Sequence, residues 1–146
     1  MGSIEEIEKY AEEKNIPIVP ISINICRNDI YQEGFVESLE KIREKYQVPV
    51  KLLRIEITEY AVVDGIKKVN EIISKLHSCG YIVEMDDFGS AYSSLNALKN
   101  INLDILKLDM KFLSDDGNNQ NGAVILSSVV RMAKWLGIPV VAEGVE

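Results

Sequence analysis

The chain alternates short apolar segments with longer amphipathic ones, and this alternation constrains the fold more than any other feature. The short segments have the length of buried strands and cover residues 21–25, 52–58, 81–86, 105–109 and 138–143. Helical periodicity marks the segments between them, and Gly80 and Gly137 follow two of these helices at the usual end position. The repeated strand–helix order predicts a parallel sheet with helical crossovers, either doubly wound or closed into a (β/α)8 barrel.

The helical pattern predicts five helices of different lengths. They cover residues 4–11, 35–46, 62–76, 93–98 and 124–136. The segment 114–122 is rich in Asn, Gly and Asp, which indicates a loop between the fourth strand and the last helix.

Each predicted strand has one apolar face and one face that becomes polar toward its end. Successive strand residues point to opposite faces, so Glu56 and Asp86 lie opposite Ile57 and Met85. Parallel strands that are covered by helices on both faces are almost entirely apolar. A barrel keeps its active site at the carboxyl ends of its strands, so the polar ends favour the barrel.

The polar strand ends carry an oxygen-rich set of side chains with one cation. The set comprises Asn24, Glu56, Asp86 with the adjacent Asp87, Lys107 and Glu143. One lysine cannot neutralise four carboxylates, whereas hard divalent cations prefer such oxygen ligands. The alternative is that these charges are solvated strand ends or salt bridges. Because the placement recurs on five strands, we favour a metal-dependent site that acts on a phosphodiester.

The overall charge limits the partners of the chain. The formal net charge is −7, which argues against a polymeric nucleic acid as ligand. No apolar run approaches the length of a membrane span, and the acidic start does not resemble a signal peptide. We therefore expect a cytoplasmic location without membrane contact.

Five segments of the chain resemble the signature segments of EAL domains, in the family's order and spacing. They read PISINICRNDI, LLRIEITEY, EMDDFGSAYSSL, DILKLDMKF and VVAEGVE. The resemblance implies a (β/α)8-like barrel that hydrolyses cyclic-di-GMP to linear pGpG with two Mg²⁺ or Mn²⁺ ions. It also implies that the parent protein can carry GGDEF or sensory domains.

The resemblance assigns roles to individual residues. The positions that match metal ligands are Asn24, Glu56, Asp86 and Glu143, together with Asp87 for the second metal. Lys107 matches the lysine that positions the attacking water. Glu59 matches the glutamate that anchors the loop at residues 89–94.

The chain also departs from the family pattern. It has no counterpart of the Glu-Ala-Leu motif, which supplies a further metal ligand, and nothing follows Glu146. We therefore expect residues 1–146 to form a partial EAL domain with about five βα units. Such a fragment is expected to be inactive alone and to self-associate through open sheet edges.

A second function is also compatible with the sequence. A degenerate EAL-like module would bind cyclic-di-GMP or dock a protein without hydrolysis. The carboxylates and the lysine of the matched segments are all present, which favours the enzyme.

Overall fold

The computed structural model describes residues 4–63, 65–88, 95–109 and 119–144. The strands are β1 (Ile21–Ile25), β2 (Leu53–Thr58), β3 (Ile82–Asp86), β4 (Ile105–Asp109) and β5 (Val140–Glu143). The helices are α1 (Ile4–Lys14), α2 (Arg27–Tyr31), α3 (Phe35–Lys45), α4 (Glu59–Val63), α5 (Ile66–Ser78), α6 (Leu95–Asn100) and α7 (Asn119–Trp135), with a 3-10 turn at Val50–Leu52.

The five strands form one parallel sheet in the order in which they occur in the chain, β1-β2-β3-β4-β5. A doubly wound sheet reverses its strand order at a switch point. The described sheet has no reversal, so it has the order of a barrel wall, and the barrel prediction is confirmed.

Both edges of the described sheet carry exposed apolar side chains. Ile21 on β1 is 67% exposed, and Val141 on β5 is 42% exposed. The expected self-association through such edges stays a prediction. None of the described helices is both long and apolar enough to cross a membrane.

The largest differences from the predicted helix boundaries lie at two places. The long helix predicted at 62–76 is divided into α4 and α5, because Gly65 has extended backbone with φ −175°. A Cβ atom at Gly65 would lie 2.3 Å from the hydroxyl of Tyr31, so the break leaves room for that side chain. The loop predicted at 114–122 overlaps the start of α7, and its other residues lie outside the described part of the chain.

The core lies between the helices and the apolar face of the central strands. The fully buried strand residues on this face are Ile55, Ile57, Val83, Met85, Leu106 and Leu108. Helix α5 covers them with Val69, Ile73 and Leu76. Gly80 then ends the helix with φ +92°, which is the left-handed conformation predicted for it.

Replacing Leu76 with alanine should measure how much this packing stabilises the fold. Leu76 is completely buried, so its truncation is expected to lower the free energy of unfolding by about 2–5 kcal/mol. Lys75→Ala is the matched control on the same helix, because its ion pair with Glu37 is exposed and is worth less than about 1 kcal/mol. If urea unfolding showed the same loss of unfolding free energy in the two variants, the placement of α5 would be contradicted.

Candidate active site

Three carboxylates converge on the ammonium group of Lys107 at the polar ends of neighbouring strands. Nζ of Lys107 lies 2.8 Å from Oε1 of Glu143 and 3.5 Å from Oδ1 of Asp86, and it also donates to Oε1 of Glu56. These residues come from β2, β3, β4 and β5. The structure therefore brings together four of the residues that the sequence predicted for one site.

The environment of Lys107 favours its charged form. Burial by itself lowers the pKa of Lys107, but hydrogen bonds to Glu143 and Glu56 and the charge of Asp86 outweigh burial and raise the pKa. The ammonium group is therefore protonated throughout the physiological range. It acts as a fixed positive charge at this site.

Asn24 joins the site through the sheet register. It is the partner of Glu56 in the pairing of β1 with β2, and both side chains lie on the same face. Its side chain is exposed at the strand end. The predicted placement of Asn24 beside Glu56 is thus present in the fold.

Asp87 adopts a left-handed backbone conformation directly after β3. Its φ is +55°, a value that aspartate tolerates better than most residues, and its backbone N–H donates to Oδ1 of Asp86 at 3.0 Å. The next residue, Phe88, is buried, and its N–H donates to the carbonyl of Lys107 at 3.3 Å. This turn attaches both aspartates to β4.

The carboxyl of Asp87 lies in a negative field. Burial and the charges of Asp86, Asp109 and Glu143 raise the pKa of Asp87, while Lys107 opposes the shift. The site therefore holds more negative charge than Lys107 neutralises.

A comparison with known proteins identifies the family. A family model described as the EAL domain matches residues 3–146. The chain belongs to the EAL domain family.

Individual relatives agree with this assignment. Cyclic di-GMP phosphodiesterase NbdA of Pseudomonas aeruginosa is 32% identical over 126 residues, which cover 86% of this chain and 16% of NbdA. The chain spans between 16% and 22% of the length of eight curated relatives that it matches.

Solved structures of EAL proteins share the fold of this chain. The EAL domain of Mycobacterium smegmatis DcpA matches with a TM-score of 0.76 and 36% identity, over 87% of this chain and 57% of that domain. Klebsiella pneumoniae BlrP1, in complex with calcium and cyclic-di-GMP, matches with a TM-score of 0.78 and 29% identity, over 93% and 35% of the two chains. BlrP1 also has a manganese complex with cyclic-di-GMP.

Glu59 of this EAL domain begins α4 and is buried. The loop that it was predicted to anchor, residues 89–94, lies outside the described part of the chain. Its anchoring role therefore stays a prediction.

Asp109 was not among the residues predicted for the site. Asp109 pairs in register with Glu143, and its charge contributes to the raised pKa of Asp87. The signal was present in the spacing, because Asp109 follows Lys107 by two residues and shares its face. A cluster of Ser22, Arg54 and Glu84 on the same face of the sheet was also missed.

The residues at the strand ends fit divalent cations by chemistry and charge. Their oxygen donors are those preferred by Mg²⁺, Mn²⁺ and Ca²⁺. Burial, together with the negative charges of Asp86, Asp109 and Glu143, raises the pKa of Asp87. Within the described residues, no three His, Cys, Asp or Glu side chains are arranged around one metal position. The carboxylates of Glu56, Asp86 and Glu143 surround the ammonium of Lys107 instead.

Proposed function

We propose that this chain supplies the carboxylate and lysine residues of a cyclic-di-GMP phosphodiesterase. The observation that carries the proposal is the convergence of Glu56, Asp86 and Glu143 on Lys107 in a member of the EAL family. Hydrolysis adds one water across a P–O bond of the cyclic dinucleotide and opens the ring to linear pGpG.

The substrate is anionic, whereas the site is rich in carboxylates. A phosphodiester can approach such a site only when cations offset the repulsion. Asn24, Glu56, Asp86, Asp87 and Glu143 are the residues that would hold divalent cations, and we add Asp109 to them. When bound, two such ions supply positive charge for the phosphate and lower the pKa of a bound water.

Lys107 has a separate role in this proposal. We assign it the role of a positively charged hydrogen-bond donor, because its ammonium group lies among the carboxylates of Glu56, Asp86 and Glu143. It orients the attacking water by donating hydrogen bonds, and it reduces the repulsion between the carboxylates. Magnesium and manganese are the ions that we expect in the cell.

Binding of cyclic-di-GMP to the purified chain tests this proposal. We expect binding in isothermal titration calorimetry with Ca²⁺ or Mn²⁺ present and none after EDTA treatment, because the cations bridge two anionic partners. Glu56→Gln is expected to weaken binding at least about tenfold. Removing a group that only hydrogen-bonds to a metal ligand already lowers metal affinity or activity about 10- to 100-fold, and a carboxylate that binds the metal directly contributes more.

Glu71→Gln is the matched control, because Glu71 lies on the exposed side of α5 and pairs only weakly with Lys68. Metal-independent binding, or equal effects of the two substitutions, would contradict the proposed site. Metal-dependent binding without pGpG release from a domain that also carries the Glu-Ala-Leu motif would identify a binding module rather than an enzyme.

A further inference from the structure

A second charged cluster lies on the polar face of the sheet, next to the candidate active site. Arg54 donates from Nη1 to Oε1 of Glu84 at 2.7 Å, and Ser22 donates from Oγ to Oε2 of Glu84 at 3.0 Å. The side chain of Glu84 is only 4% exposed, so it is a buried carboxylate. Both of its oxygens are thus occupied by residues of β1 and β2.

Lys107 reaches over the strand that carries Glu84. Lys107 is on β4 and contacts Glu56 on β2, and β3 lies between these two strands. Glu84 is the register partner of Glu56 and shares the polar face of β3 with Asp86. Glu84 and Asp86 therefore both belong to the strand that the lysine side chain crosses.

Only one of these two carboxylates is paired with Lys107. Asp86 lies 3.5 Å from Nζ of Lys107. The described side-chain contacts of Glu84 are instead with Arg54 on β2 and Ser22 on β1. Arg54 and Lys107 are the cations that the described strands place on this face. Each cation thus forms ion pairs with a different set of carboxylates.

The ion pair with Arg54 supplies the buried carboxylate of Glu84 with a cation. A buried carboxylate without a cation is strongly unfavourable, so it attracts a positive charge within reach. Without Arg54, the other strand cation on this face is Lys107. A lysine drawn toward Glu84 would leave Glu56 and Glu143.

We propose that Arg54 and Ser22 are positioning residues, which hold Glu84 away from Lys107 so that its ammonium stays with Glu56, Asp86 and Glu143. The catalytic consequence rests on the proposed phosphodiesterase function. The position of Lys107 is independent of that function, because it can be measured on the chain without metal or substrate.

The test follows the ¹⁵N resonance of the Lys107 ammonium group by NMR, identified by its loss in Lys107→Met. Arg54→Met removes the charge but keeps an unbranched side chain, and it is expected to shift the Lys107 resonance. Adding Glu84→Gln to Arg54→Met removes the competing charge and is expected to return the resonance to its original position. Glu84→Gln alone is expected to leave it in place.

The double variant separates positioning from a merely structural role, because general loosening of the sheet would not be reversed by a second substitution. Arg43→Met is the matched control, since Arg43 also forms an ion pair with a glutamate, Glu40 on α3, through two hydrogen bonds and away from the site. It should leave the Lys107 resonance unchanged. Arg54→Gln keeps a donor beside Glu84 and replaces Arg54→Met if that variant does not fold.

An unchanged Lys107 resonance in a folded Arg54 variant would overturn the proposal, and so would a shift that Glu84→Gln does not reverse. In a catalytically active form of the domain, Arg54→Met should lower kcat about 10- to 100-fold through misplacement of Lys107, and the double variant should recover most of it. If the resonance behaves as expected but no form hydrolyses cyclic-di-GMP, the positioning role stands and the phosphodiesterase proposal fails.

Discussion

Replacing Asp86 with asparagine is expected to reduce the rate of cyclic-di-GMP hydrolysis by more than about 100-fold. Removing a group that only hydrogen-bonds to a metal ligand already lowers activity about 10- to 100-fold, and Asp86 is proposed to bind the metal directly. Asp86 lies at the end of β3, between Glu56 and Glu143 in the set that surrounds Lys107. Asparagine keeps the size of the side chain and one oxygen, but it removes the charge that a divalent cation requires. The measurement is pGpG release by a form of the domain that also carries the Glu-Ala-Leu motif, at several Mn²⁺ concentrations.

Asp104→Asn provides the matched control for this substitution. Asp104 precedes β4, and its Oδ2 accepts hydrogen bonds from the backbone N–H of Val83 and pairs with Nε2 of His77. Its replacement is expected to change thermal stability but to leave the dependence of rate on Mn²⁺ unaltered. A normal rate in Asp86→Asn would refute the assignment of Asp86 as a metal ligand.

Replacing Lys107 with methionine is expected to destabilise the metal-free chain by about 3 kcal/mol, at the lower end of the cost of removing one partner from a buried ion pair. The Lys107 side chain is 13% exposed and that of Glu56 is 7% exposed, whereas Glu143 is 43% exposed and is partly screened by water. The unfolding temperature should therefore fall by roughly 5–10 °C, measured by circular dichroism in EDTA.

The same variant should recover much of this loss when Mn²⁺ is added, because bound cations neutralise Glu56 and Asp86 and stabilise the folded state. Lys51→Met is the control, since Lys51 is 73% exposed and pairs with Glu8 at the surface. We expect it to change stability by less than about 1 kcal/mol, with or without Mn²⁺. If Lys107→Met lost the same stability with and without Mn²⁺, the lysine would act through packing.

Much of the fold was predictable because its signals are local. Strand periodicity of two residues placed Glu56, Asp86 and Lys107 on one face, and the structure confirms this face. The strand ends were predicted correctly, while three strand starts lie one or two residues later than expected. The beginning of a strand depends on hydrogen bonds to its neighbour, which a single segment does not reveal.

Other features depended on contacts between distant segments. At the break between α4 and α5, Gly65 passes close to Tyr31, and no periodicity in either segment indicates that contact. The short helix α2 was also missed, since its five residues are too few to show a helical period.

The order of strands and helices, the parallel arrangement and the polar face of the sheet could all be predicted from the sequence. These properties follow from the spacing of apolar and polar residues along the chain. The pairing of the charges on that face depends instead on tertiary contacts. Glu84 and Asp86 are equivalent by spacing, yet Glu84 pairs with Arg54 while Asp86 lies beside Lys107. The choice depends on strand register and on which cation reaches across a neighbouring strand, and both are set by residues that are far apart in the chain.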